Sequence, residues 1–238
     1  LYYAMEYLSG VDLEKLITRS GPLPVDRAGY LMEQACGSLA EAHARGFIHR
    51  DVKPSNLMVC ERGGEFDCVK VLDFGLVKST SSHGPSSSLT GVGAFAGTPH
   101  YMSPESLTTP ERAKPSADVY ALGAVLYFLL SGRDLFPGRE SMSVMVAQIS
   151  EEPPRIETLV PSIPSAVAEL VHRCLRKNPE ERPQDAHELA RALRATFPAT
   201  WNVDRARDWW LDHPDILHLD EVPRSVDPTG ETVAFRRA

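Results

Sequence analysis

His49-Arg50-Asp51-Val52-Lys53-Pro54-Ser55-Asn56 decides how the rest of the chain is read, together with Asp73-Phe74-Gly75, which begins seventeen residues after Asn56. Asp51 is a carboxylate able to accept a hydroxyl proton, and Lys53 is a cation long enough to reach a γ-phosphate. Asn56 and Asp73 are hard oxygen donors of the kind Mg²⁺ prefers. Phosphoryl transfer needs little covalent help beyond such positioning and charge. A third element, Gly97-Thr98-Pro99 through Ser103-Pro104-Glu105, follows downstream. Each tripeptide alone is an ordinary turn or a common run; their order and spacing together are not.

The spacing matches the H-R-D-x-x-x-x-N and D-F-G elements of the protein-kinase signature. The chain resembles, over roughly residues 1–195, the large lobe of a eukaryotic-type (Hanks-type) serine/threonine protein kinase of the bacterial branch, and Lys53 is the serine/threonine-type marker. The resemblance implies an α+β, protein-kinase-like fold with a mainly α-helical carboxyl-terminal lobe and an amino-terminal lobe largely absent. It implies transfer of the ATP γ-phosphate to Ser/Thr hydroxyls of protein substrates, with ATP and Mg²⁺ as cofactors. An alternative is a non-catalytic module that docks substrates or regulators; the intact Asp51, Lys53, Asn56 and Asp73 disfavour it.

Carried over residue by residue, the resemblance makes Asp51 and Lys53 catalytic and Asn56 and Asp73 metal ligands. Met5 becomes the gatekeeper, and the backbone of Glu6 and Leu8 meets the adenine edge. Met58 lies under the adenine ring, which does not conflict with a core role. Asp12 either meets the ribose or is a helix N-terminal acid favoured by the macrodipole. His49, Phe74, Glu105, Asp118 and Arg182 are structural. Asp118 accepts backbone N–H bonds from the catalytic loop, and Arg182, in Asn178-Pro179-Glu180-Glu181-Arg182-Pro183, pairs with Glu105; the alternative for that pair is surface charges worth little. Arg50, before the catalytic aspartate, implies activation by phosphorylation of the segment 73–105, since a guanidinium binds a phosphate bidentately. Thr90, seven residues before Gly97, is the candidate, with Ser86, Ser87 and Ser88 nearby. Thr98 is expected to bond the catalytic Asp and Lys.

Composition fits this reading. The 238 residues are 42% hydrophobic and 24% charged, with a net charge of -7 that argues against a nucleic-acid platform. The four cysteines form no C-x-x-C pair, and the longest apolar run, Val119–Leu130, is twelve residues, too short to span a bilayer. Cytoplasmic location, protein partners bearing Ser or Thr, and self-association for autophosphorylation are expected. The chain starts at Leu1, in mid-pattern, and contains no G-x-G-x-x-G, so it reads as a fragment.

Residues 1–8 read as the last small-lobe strand and hinge, 9–197 as the kinase carboxyl-terminal lobe, 198–222 as a helical extension and 223–238 as a disordered tail. Apolar periodicity predicts a helix over 25–45, an almost all-round apolar composition predicts a buried one over 116–131, and further helices are expected over 13–19, 141–151, 165–175 and 185–195, punctuated by glycine and proline. Strands are predicted at 57–60 and 69–72 around a turn at 61–65. A last helix, 204–211, is expected to dock on the lobe through Trp201, Trp209 and Trp210.

Overall fold

The computed structural model describes residues 6, 8–73 and 99–217, so Met5, Phe74, Thr90 and Thr98 lie outside the described residues. In chain order the main elements are β1 (Gly10–Asp12), α1 (Leu13–Ser20), α2 (Val25–Ala44), β2 (Leu57–Arg62), β3 (Glu65–Val71), α3 (Pro104–Thr108) and α4 (Pro115–Ser131). They continue with α5 (Ser141–Ser150), α6 (Ser165–Cys174), α7 (Ala186–Thr196), α8 (Val203–Asp212) and α9 (Pro214–Leu217).

Local chemistry sets the helix ends. Asp12 caps α1, its Oδ1 accepting the Lys15 N–H at 2.8 Å, and Asp185 and Asn202 cap α7 and α8 in the same way. Proline opens α3 and α4, where its missing N–H costs nothing. α4 is apolar on every side and buried along almost its whole length, with α2, α6 and α7 packed around it. Two close approaches demand glycine: a Cβ on Gly29 would stand 2.5 Å from the Phe197 ring, and one on Gly123 would stand 2.5 Å from the Cys174 Cβ. No helix among the described residues is long and apolar enough to cross a membrane.

The small sheet has the order β1-β2-β3, antiparallel throughout. Here the structure corrects the expected strand limits. β2 and β3 run through most of the residues read as a turn, leaving only Gly63-Gly64 at the tip, and residues 10–12 form a strand where none was expected. The charged tip residues pair because a solvent-facing ladder is held by backbone bonds and needs no apolar side chains. Cys60 pairs with Cys68 across the hairpin, and both are free thiols. Burial pushes Cys60 up to about 11, well away from the thiolate form at neutral pH. Between Cys60↔Cys68 and Arg62↔Glu65 the register slips by one, which gives β3 an extra residue. Asp67, at φ 57, sits within this bulge.

After α7 the chain doubles back, with α8 packing on β3 and α9 on β1. Its entry is tied to α2 through Asp26, whose Oδ2 accepts from Thr200 Oγ1 at 2.7 Å and from Arg205 Nη1 at 2.6 Å. Burial pushes the Asp26 carboxyl up, but these two bonds and the Arg27 N–H outweigh it, holding the net value below 3.8. A folded-state value below the unfolded one gives stability that is full above the unfolded value and is lost as pH falls through the folded one. Wild-type protein is therefore expected to lose more stability than Asp26→Asn between about pH 5 and about pH 3, read by urea unfolding. Equal losses would show that the contact contributes nothing.

Candidate active site

The loop 45–56 leaves the end of α2 and returns toward β2, and its shape is imposed from below by one carboxylate. Asp118, buried in the first turn of α4, accepts the backbone N–H of His49 at 2.8 Å and of Arg50 at 2.9 Å. His43 Nε2 meets the same carboxylate at 2.9 Å, while its Nδ1 accepts the Ala186 N–H at 3.2 Å. Since Nδ1 is an acceptor, the proton belongs on Nε2, and a neutral His43 donates to Asp118. The carboxylate thus receives three donors from two segments. His43 was not singled out by sequence; its signal was its position in the last turn of α2, one turn before the loop.

His49 performs the next link. Its Nδ1 accepts the Asp51 N–H at 3.3 Å, so its Nε2 donates to the Leu72 carbonyl at 2.8 Å. Leu72 N–H in turn donates to the Asn56 carbonyl at 2.8 Å. The loop 45–56 and the end of β3 are therefore stitched on both sides of Leu72, directly before Asp73. Arg50 and Asp73 flank this seam in left-handed backbone, at φ 66 and φ 53. For non-glycine residues such conformations cost about 1–3 kcal/mol each and persist only where the surroundings enforce them.

Above the seam the functional groups converge. Asp51 Oδ2 lies 3.1 Å from Lys53 Nζ and accepts from Asn56 Nδ2 at 3.1 Å. Asn56 Nδ2 also donates to the Asp51 carbonyl at 2.8 Å. The Asn56 amide nitrogen is thereby committed, which leaves Oδ1 as the oxygen donor of this side chain. Asp73 is exposed. Two oxygen donors on adjoining segments fit Mg²⁺, which takes one or two protein oxygens and completes its shell with phosphates and water. Asp51 is 39% exposed and Lys53 22%, so both remain within reach of an incoming molecule. A cleft beneath the loop, lined by Arg50 to Lys53 and by Tyr101, Met102 and Ser103, adjoins them.

Glu105 and Arg182 form a bidentate pair at 2.7 and 2.9 Å, with the arginine side chain fully buried and the glutamate 16% exposed. Arg182 also donates to the Arg176, Lys177 and Ser116 carbonyls, so all five of its N–H groups are used. The surface-charge alternative is thereby excluded. Nearby, burial pushes the Lys177 ammonium down to about 8.

The residues expected around a nucleotide base are less gathered. Met58 is half-buried and faces Asp12 and Lys70 across the sheet. Asp12 acts as the α1 cap and meets Lys15 Nζ at 3.5 Å, the second of its two readings. Leu8 is half-buried, and exposed Glu6 lies 3.7 Å from Lys70 Nζ.

Comparison with known proteins gives a consistent picture. The sequence matches the protein kinase domain over residues 1–193. The serine/threonine-protein kinase pkn3 of Myxococcus xanthus is 38% identical over 87% of this chain and 38% of its own length. PknE of Mycobacterium tuberculosis is 38% identical over 98% of this chain, again 38% of its own. PrkC of Bacillus subtilis is 34% identical over 83% of the chain and 29% of its own. The chain thus spans between 29% and 38% of the length of these relatives. Among solved structures, Rad53 in complex with AMP-PNP superposes with a TM-score of 0.62 at 22% identity, covering 78% of this chain and 44% of that one. The PknI kinase domain of Mycobacterium tuberculosis gives 0.59 at 23% identity, covering 81% and 64%. These two likenesses concern the fold.

Proposed function

Because the chain belongs to the protein kinase domain family, we propose that the protein carrying it transfers the γ-phosphate of ATP to serine and threonine hydroxyls of proteins. The observation that supports this most is the convergence of Asp51, Lys53 and Asn56 on a loop held by Asp118 and stitched to Leu72 beside Asp73. In this reading an Asp51 carboxylate oxygen orients the acceptor hydroxyl and takes its proton. The hydroxyl oxygen forms a bond to the γ-phosphorus as the bond to the β-phosphate oxygen breaks, releasing ADP. Lys53, beside Asp51, offsets the charge on the moving phosphoryl group. Asn56 and Asp73 would hold Mg²⁺, which when bound neutralises phosphate charge. Met5, the backbone of Glu6 and Leu8, Asp12 and Met58 belong to the ATP side of the proposal.

Regulation is part of the same reading. Arg50 receives a phosphate placed on Thr90, through self-association of two kinase copies, and Thr98 contacts the catalytic pair. A cytoplasmic setting, where ATP is supplied, completes it.

The test uses the protein with its complete kinase domain, γ-labelled ATP, Mg²⁺ and a protein acceptor. Label is expected on Ser and Thr, and mass spectrometry is expected to find phosphate on Thr90. Asp73→Ala is expected to raise the Mg²⁺ and ATP concentrations needed by about tenfold or more, as loss of one charged ligand implies. No transfer above an enzyme-free control at any Mg²⁺ concentration overturns the kinase reading; an unmodified Thr90 in active protein removes only its regulatory part.

A further inference from the structure

Asp67 is fully buried in the β3 bulge, and both of its carboxylate oxygens are doubly occupied. Arg27, from the first turn of α2 and itself fully buried, donates its Nε to Oδ2 at 2.9 Å and its Nη2 to Oδ1 at 2.8 Å. The other two donors come from the chain beyond α7. Trp201 Nε1 reaches Oδ2 at 2.9 Å, and Trp210 Nε1 reaches Oδ1 at 2.7 Å. The Arg27 guanidinium carbon also lies 3.8 Å from the centre of the Trp209 ring, and His213 stacks on the far side of that ring at 4.1 Å. A buried charge is tolerated only when paired and hydrogen-bonded, and here two of the four bonds depend on residues 199–217.

What this node holds is the strand that ends at the site. Gln34 of α2 adds a second tie to the same bulge, donating Nε2 to the Asp67 carbonyl at 2.8 Å and accepting the Val69 N–H at 3.1 Å. Three residues further along stands Leu72, whose carbonyl receives His49 and whose N–H meets Asn56. At the other edge of the sheet α9 packs on β1, with Ile216 buried. The extension thus grips both outer strands: β1, which leads in from the hinge, and β3, which leads out to Asp73.

We propose that Trp201 and Trp210, through Asp67, are positioning residues for phosphoryl transfer: they fix β3, and through Leu72 they fix His49 and Asn56 relative to Asp73. This rests on the kinase reading for its consequence, but the coupling itself is measurable without turnover. Residues 199–217 are then part of the catalytic unit rather than an appended tether.

The test is native-state hydrogen exchange on the protein with its complete kinase domain, comparing wild type with Trp210→Phe and Trp201→Phe, each of which removes one donor to Asp67 while leaving the Arg27–Asp67 pair intact. The Leu72 amide is expected to exchange about tenfold faster in both variants, the change that losing one hydrogen bond to a charged group implies. Leu126 and Val125 amides in α4 are expected to stay within twofold of wild type, which separates local release of the seam from global loss of stability. In the protein with its complete domain, Trp210→Phe is expected to raise the Mg²⁺ requirement and the KM for ATP about three- to tenfold, with kcat at saturating Mg²⁺ changed less. Faster exchange confined to α8, or equal acceleration at Leu72 and in α4, overturns the positioning role, as does an unchanged Mg²⁺ requirement. A wild-type protein without transferase activity would overturn the kinase reading while leaving the exchange result to decide the coupling.

Discussion

Asp51→Asn, made in the protein with its complete kinase domain, is expected to lower phosphoryl transfer by about 10²–10⁴-fold, the range that a positioned acid–base group supplies. Affinity for ATP is expected to stay within about threefold, because in the proposed mechanism this side chain acts on the acceptor hydroxyl and not on the nucleotide. The geometry makes the substitution clean. Asn56 Nδ2 already donates to the Asp51 backbone carbonyl, so the loop keeps that bond when the side chain changes. Lys53 loses a charged neighbour at 3.1 Å, but it is partly exposed and water replaces the contact at small cost. Single-turnover rates and nucleotide titration of the same preparation separate the two quantities. An Asp51→Asn rate within threefold of wild type would remove this aspartate from the mechanism.

Glu105→Ala is expected to destabilise the fold by about 3 kcal/mol, the lower end of what breaking a buried pair costs. The lower end applies because Glu105 keeps 16% of its side chain exposed, although Arg182 keeps none. Without the carboxylate, the arginine retains three carbonyl partners but no counter-charge. For a chain of this size the loss corresponds to a fall in melting temperature of about 6–12 °C. The double variant Glu105→Ala/Arg182→Met is expected to recover part of this, since it removes the buried charge, but not all, because the Ser116, Arg176 and Lys177 carbonyls lose their donor. A Glu105→Ala melting point within about 2 °C of wild type, read by calorimetry, would show that the pair contributes nothing net.

The long helices and the centre of the site were legible in the sequence because both are written in short spacings. Apolar residues at helical period place α2, an unbroken apolar run places α4, and His49 to Asn56 lie within one loop. Asp118 and Arg182 became legible through the family resemblance, since their partners lie 69 and 77 residues away. What escaped was of two kinds. β1 has three residues, too few to show any alternation, and the charged tip of the β2–β3 hairpin resembles a loop in composition. The Asp67 node escaped for a different reason: its tryptophan partners lie 134 and 143 residues further on, and nothing local marks an aspartate in a strand as the end point of three other segments. His43 was hidden by a plausible alternative, a basic residue complementing the end of a helix dipole.

The packing of α2 against α7 has a consequence for how the chain is made. The apolar face of α2, including Leu31, Met32, Ala35 and Leu39, is fully covered in the finished fold, and α7 supplies a large part of that cover. α2 ends at Ala44 and α7 at Thr196, so a ribosome adding roughly 5–20 residues each second needs about 8–30 s to deliver the second helix after the first. During that interval β3 and α4 can cover part of α2, but the part of its apolar face that meets α7 has no partner. The order of the elements thus leaves the α7-facing side of α2 exposed longest, so the closing of this face waits on synthesis through residue 196.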